Sequence, residues 1–323
     1  MKRKVDFEPK WIVVALFFIT GIFVGSMILF VWVFNGGNFY GIQKIHYNSG
    51  IYKYINPLLA IDVQGNTSFL EDTFLQSSIS NAINKAKNQG LMLAAVYFRD
   101  IETGNWTGVN QDLKFSPGLL LKLPIAIAYY KEAEASPKIL QKQVVYNYDS
   151  NNSDMVRGEV YSLEDLINEM ILNDDDATAN ALFDNLNTAY LNEVYADLGY
   201  EIKENKTDLD FTTLKHSALI YRILYNSTYL SREMSEKFLG LLSQTGKSKG
   251  FAGGLPNDLV IAHRYHEVND STGTGGQDCG IIYYPGHPYE LCMMLRAHDQ
   301  LTAENIFEEI SNVVYMDMKN KYN

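Results

Sequence analysis

An α/β domain is the fold class this sequence predicts: an antiparallel sheet flanked by helices, with an all-helical lobe, preceded by one transmembrane helix. Three observations lead there. Strand-like alternation of apolar residues falls only near the two ends of residues 70–323, and the long stretch between them has helical period. Two strands that must meet three others across that insertion imply one sheet assembled from both ends of the chain. Ahead of all this lies an uncharged run, residues 11–34, longer than a core element requires.

Each segment follows from its own residues. Residues 1–10 hold Lys2, Arg3, Lys4 and Lys10, and read as a cytoplasmic tail. About 20 helical residues cross a hydrocarbon core, so 11–34 can span it with some tilt. Trp11 and Trp32 lie near its ends, where indole rings favour the interface. The apolar part of a cleavable signal peptide is shorter, roughly 7–15 residues. The run therefore reads as an uncleaved, single-pass signal anchor. The next basic residue is Lys44, so the charge bias places the C-terminal domain on the extracytoplasmic side of a cell membrane. No Cys lies near the span to carry a lipid.

Residues 35–69 are rich in Gly, Asn and Tyr and read as a juxtamembrane stalk, with room for a short packed element at 54–63. In the domain, 69–87 has helical spacing through Leu70, Phe74, Ile79, Ala82, Ile83 and Ala86. Residues 91–100 and 106–109 read as strands about the turn Glu102-Thr103-Gly104-Asn105. Helices follow at 119–134, 163–172, 177–186, 188–198, 213–225 and 231–242. Strands return at 260–265, 280–284 and 291–295, and a helix at 302–316 closes the domain. The Gly-rich 271–276 lacks a Walker lysine and reads as a loop.

Hydrophobic residues make up 46% of the 323 and charged residues 20%, enough for a substantial core. The formal charge of −11 argues against non-specific nucleic-acid binding, which needs Lys and Arg on phosphates. Most of the 22 tyrosines will simply pack, although some could offer a carbohydrate or peptide surface. Cys279 and Cys292 fall on adjacent strands. Pairing about Pro285-Gly286-His287-Pro288 sets them diagonally, so two buried thiols and a bridge both stay open. His263, His266, His287 and His298 show no ligand spacing, and no metal or cofactor is expected.

Several short stretches resemble, in order and spacing, the class A β-lactamases and penicillin-binding transpeptidases. They are Tyr97-Phe98-Arg99-Asp100 with Gly104, residues 117–130, residues 174–182, Leu224-Tyr225-Asn226 with Tyr229-Leu230-Ser231, Gly254-Leu255-Pro256 before Val260-Ile261-Ala262-His263, and residues 278–283. The resemblance covers roughly 70–318. It implies an acylated Ser in Ser-x-x-Lys, a Ser-Asp-Asn motif and a Lys-Thr-Gly edge strand meeting in one cleft.

This chain departs from all three. Lys122 is kept, but Leu119 stands at the nucleophile and has no atom to attack with. Ser116 lies one turn upstream and off the Lys122 face. Thr212 and Lys215 have the spacing but sit outside the frame. Asp174 and Asp176 replace the relay Ser and the Asn, within Asp174-Asp175-Asp176-Ala177-Thr178. These carboxylates suit a helix N-terminus or, less simply, a cation. Arg264-Tyr265-His266 fills the third frame: Arg264 keeps the charge that attracts a carboxylate, and His266 replaces a glycine and should obstruct close approach. A deacylating Glu has no clear place; Glu201, Glu204, Asp208 and Asp210 are candidates by region.

The expectation is a catalytically inactive domain that binds a peptidoglycan peptide, a β-lactam-like ligand or a protein partner. The alternative is an active serine β-lactamase or D-alanyl-peptide hydrolase with an unrecognised nucleophile. A third reading is a structural ectodomain with a filled cleft.

Overall fold

The computed structural model describes residues 42–46, 50–63, 70–115, 122–150, 152–200, 212–270 and 273–322. The span 11–34 lies outside them. Among the described residues no helix is long and apolar enough to cross a membrane. The chain divides into two units, 1–43 with 61–67, and 44–60 with 68–323. Strands β1 (Ile42–His46) and β2 (Leu58–Val63) pair with each other in a sheet of their own.

In the second unit a five-stranded sheet has the order β4-β3-β9-β8-β7. The strands are β3 (Leu91–Asp100), β4 (Trp106–Val109), β7 (Ile261–Asp270), β8 (Gly273–Ile282) and β9 (Tyr289–Ala297). All the pairings are antiparallel. The two N-terminal strands thus join three C-terminal ones, as the element order predicts. Strand β9 is buried along its whole length. Its Tyr289, Leu291, Met293 and Leu295 enter one core with Phe307 and Ile310 of the last helix, α8 (Gln300–Tyr322). Cys292 and Met294 enter the other core, shared with the helical lobe. Being covered on both faces, the strand reads as a near-continuous apolar run.

The lobe comprises α2 (Lys122–Ala135), α3 (Leu163–Leu172), α4 (Asp176–Asp184), α5 (Thr188–Asp197), α6 (Leu214–Tyr225) and α7 (Arg232–Leu242). Helix α1 (Thr73–Lys87) lies with α8 on the other face. Starts are set by short polar caps: Ser162 with Asp165 forms a reciprocal capping box on α3, and Ser231 caps α7. Helix α2 is buried without a break from Lys122 to Tyr130. A helix apolar all round belongs inside a lobe, and its first residue is the lysine singled out above. A short ribbon, β5 (Gln143–Val145) with β6 (Val160–Ser162), has no signal of its own in the sequence.

Three expectations need correction. Strand β8 begins at Gly273, not 280, so most of the Gly-rich segment is strand. Glycine is required there by crowding. A Cβ on Gly275 would strike the Leu295 carbonyl, and one on Gly276 the Tyr265 ring and the His266 carbonyl. The hairpin turn is wider than Pro285–Pro288, because Tyr283 N–H stays bonded to Val260 O and Ile282 is the last residue to face β9. That shift puts Cys279 directly opposite Cys292, with Cα atoms 4.1 Å apart, and the two form a disulfide. Helix α8 runs on to Tyr322, whose hydroxyl donates to Asp100 at 2.6 Å while His287 stacks on its ring.

Within the predicted stalk, residues 53–56 are tied to the domain. The Glu236 carboxylate accepts the N–H groups of Lys53, Tyr54 and Ile55, and Asn56 N–H donates to Tyr225 O.

Candidate active-site cleft

Two helix caps meet around Asp174. Asn173 ends α3, Asp175 is the N-cap of α4, and Asp174 alone makes the turn between them, with φ of 56°. Asp is one of the few side chains that tolerate this left-handed conformation. The three adjacent acids therefore diverge. Asp175 accepts from Thr178 N–H at 2.7 Å and from the Ser150 hydroxyl. Asp174 and Asp176 instead reach the Lys122 ammonium.

Lys122 Nζ lies 2.8 Å from Asp174 O, 2.7 Å from Asp174 Oδ1 and 2.5 Å from Asp176 Oδ1. Of the three N–H donors of an ammonium, two go to Asp174, and Asp176 adds an ion pair. Arg264 enters from the edge strand β7. Its Nη1 donates to Ile171 O at 2.5 Å and its Nη2 to Met170 O and Asp174 Oδ1, both at 2.8 Å. The guanidinium thus caps the last carbonyls of α3, where a cation also suits the helix dipole, and pairs with the acid that follows. His266 Nδ1 completes the cluster, 3.0 Å from Asp174 Oδ2.

Asp174 is the hub. Burial pushes its carboxyl up, but the His266 hydrogen bond and the Arg264 and Lys122 charges outweigh that and hold it at about 2. Exposure is uneven. The Lys122 and Arg264 side chains are 8% and 2% exposed, against 33% for Asp174 and 89% for Asp176. The cations lie behind and the acids face outward.

Lys122, Asp174, Asp176, Arg264 and His266 are therefore brought together, as the resemblance implies. Leu119 and Ser116 lie outside the described residues, as do Glu201, Glu204, Asp208 and Asp210. Thr212 and Lys215 do not act together. Thr212 Oγ1 turns to Thr213 O, and Lys215 lies over the Trp106 ring, 5.5 Å from its centroid. His266 is held by Asp174. His263 points to the opposite face of β7, with Nδ1 2.9 Å from Asp278 Oδ1. Asp278 also accepts the Phe251 N–H at 2.9 Å, and burial pushes its carboxyl up. This buried pair carried no sequence signal, because its partners are 15 residues apart on neighbouring strands. A cavity of about 160 Å³ adjoins the cluster, lined by Asp174, Thr245, Ser248, His263, Arg264 and Tyr265 among others.

Comparison with known proteins agrees with the fold. Residues 74–318 match the Beta-lactamase enzyme family. Among solved structures, PBP-A superposes with a TM-score of 0.67 at 20% identity, over 79% of this chain and 99% of that one. A PBP-A mutant solved as an acyl-enzyme complex with penicillin G gives 0.66 at 20% identity, with the same coverage. A β-lactamase from Sphaerobacter thermophilus gives 0.65 at 19%, over 75% of this chain and 96% of that one. No curated protein matches the chain in sequence.

Proposed function

This chain belongs to the β-lactamase enzyme family, and on that premise we propose that its domain has given up acyl transfer and works by binding. One observation carries the reading: the Lys122 ammonium donates to both the carbonyl and the carboxylate of Asp174 and is ion-paired with Asp176. Acylation of a Ser hydroxyl needs a neighbouring base to accept its proton. An ammonium engaged in this way has no lone pair to offer. Leu119 supports the same reading, since it supplies no oxygen to acylate. The domain is held at a cell membrane by residues 11–34, on the extracytoplasmic side, where a cell-wall peptide or a protein partner is its ligand.

The test is covalent labelling. Incubating the full chain with a fluorescent penicillin yields no labelled band, and intact-mass spectrometry shows no antibiotic-derived adduct. A PBP-A mutant forms an acyl-enzyme with penicillin G and serves as the positive control. A stoichiometric adduct on Ser116, Thr212 or any other hydroxyl overturns the reading in favour of a working hydrolase.

A further inference from the structure

Residues 53–57 lie ahead of the stretch that matches the family, which begins at 74. They nevertheless bridge the helical lobe and the sheet. On the lobe side, the Glu236 carboxylate of α7 accepts three successive N–H groups, from Lys53 at 2.6 Å, Tyr54 at 2.9 Å and Ile55 at 3.0 Å. Asn56 N–H donates to Tyr225 O at the end of α6. The Tyr54 ring lies so close on α7 that a Cβ on Gly240 would come within 3.2 Å of it. On the sheet side, the Tyr283 hydroxyl, just past the end of β8, donates to Tyr54 O at 2.8 Å, and the two rings meet edge to face at 5.9 Å. Ile55 and Pro57 are buried.

Tyr54 holds both ends of the segment that walls the cleft. Ser243 Oγ, at the C-cap of α7, lies 3.0 Å from Tyr54 Oη. Tyr283, held through Tyr54 O, bonds its own N–H to Val260 O, immediately before β7. Between Ser243 and Val260 run Thr245, Gly246, Ser248 and Lys249, which line the cavity beside Asp174 and Arg264. Thr245 Oγ1 lies 2.9 Å from His263 O on β7. Strand β7 carries Arg264 and His266 and is an edge of the sheet, paired to β8 alone among the described residues. Local opening draws on the elements with the fewest covering contacts, and an edge strand has fewer than the strands inside the sheet.

We propose that residues 53–57 are a clasp: docked, they hold the wall 245–249 and strand β7 in place beside the helical lobe, and lifted, they let the cleft loosen. Release at Tyr54 frees Ser243 at one end of the wall and Tyr283, with Val260, at the other. The clasp operates whether the cleft binds or acylates, because it acts on the wall and not on the chemistry.

Hydrogen–deuterium exchange of the full chain, read by mass spectrometry, tests this. Glu236→Ala removes the acceptor of the three N–H groups and keeps a good helix former on α7. Tyr54→Ala removes the ring and its hydroxyl and leaves the backbone bonds to Glu236. Each variant speeds exchange in the β7 stretch 261–266, and at the Ser243 and Gln244 amides bonded to Leu239 O and Leu241 O, by about five- to tenfold. Helix α1, in the other core, keeps its native rate. Ile51→Ser, at an exposed position just ahead of the clasp, changes none of these. A native rate for β7 in either clasp variant overturns the proposal and leaves residues 53–57 a simple attachment. So does an acceleration of α1 equal to that of β7, which marks general unfolding, or an effect of Ile51→Ser as large as that of Tyr54→Ala. Penicillin takes no part in this measurement, so its outcome and that of the labelling test stand or fall separately.

Discussion

Replacing Asp174 by Asn keeps the shape of the side chain and removes the charge on which three other groups converge. Its carboxyl falls from 3.8 to about 2 on folding. Each factor of ten in proton affinity is about 1.36 kcal/mol, which makes about 2.4 kcal/mol in all. A third of the side chain meets water, which screens the pairs, so about 1.5 kcal/mol is the fair expectation. For a domain of this size that is a Tm lower by roughly 3–6 °C at neutral pH. The sign of the pH dependence follows from the depressed carboxyl. Its contribution is complete above 3.8 and is lost as pH falls through about 2. Thermal unfolding of the full chain and the variant, followed by circular dichroism at neutral pH and down to about pH 2, reads both. The gap between the two curves closes across that window. A gap that stays constant with pH, or a neutral-pH loss under about 0.5 kcal/mol, refutes the charge network as the source of stability.

Other substitutions probe separate parts of the argument. Leu119→Ser alone leaves penicillin labelling at background, because Lys122 stays bound by Asp174; adding Asp174→Ser brings slow labelling, and labelling by the single variant contradicts the captive-ammonium argument. Cys279→Ser with Cys292→Ser, which opens a loop with a sequence separation of 13, costs about 2–4 kcal/mol in a denaturant titration. Gly254→Ala drives a Cβ into the Glu308 backbone of α8 and costs about 1–3 kcal/mol of overpacking, seen as a lower Tm.

Much of this was legible from residue spacing. Strands β3 and β4 and helix α3 carry clean periodicity and turn signals, and their ends fall where the sequence places them. Strand β8 was hidden because glycine reads locally as a breaker. Here it answers to neighbours far along the chain, the Leu295 carbonyl and the Tyr265 ring. Frame matching collected Lys122, Asp174, Asp176, Arg264 and His266, but not what they do together. The three acids look alike as a run at a helix start. Only the left-handed turn at Asp174 separates a capping Asp175 from a neighbour aimed at the cations. The His263–Asp278 pair depends on strand register, which one sequence does not disclose.

The sheet's middle strand is also its last to be made. Leu91 pairs with Ala297 and Asp100 with Tyr289, so β3 must wait for β9. At roughly 5–20 residues per second of synthesis, that wait is on the order of 10–40 seconds. During it Ala95, Tyr97 and Phe98, all buried in the finished fold, lie on a strand whose neighbour has yet to be made. Chains that stall or are clipped before residue 289 carry every residue of the cleft except the means of closing the sheet beneath it, and are marked for aggregation or degradation.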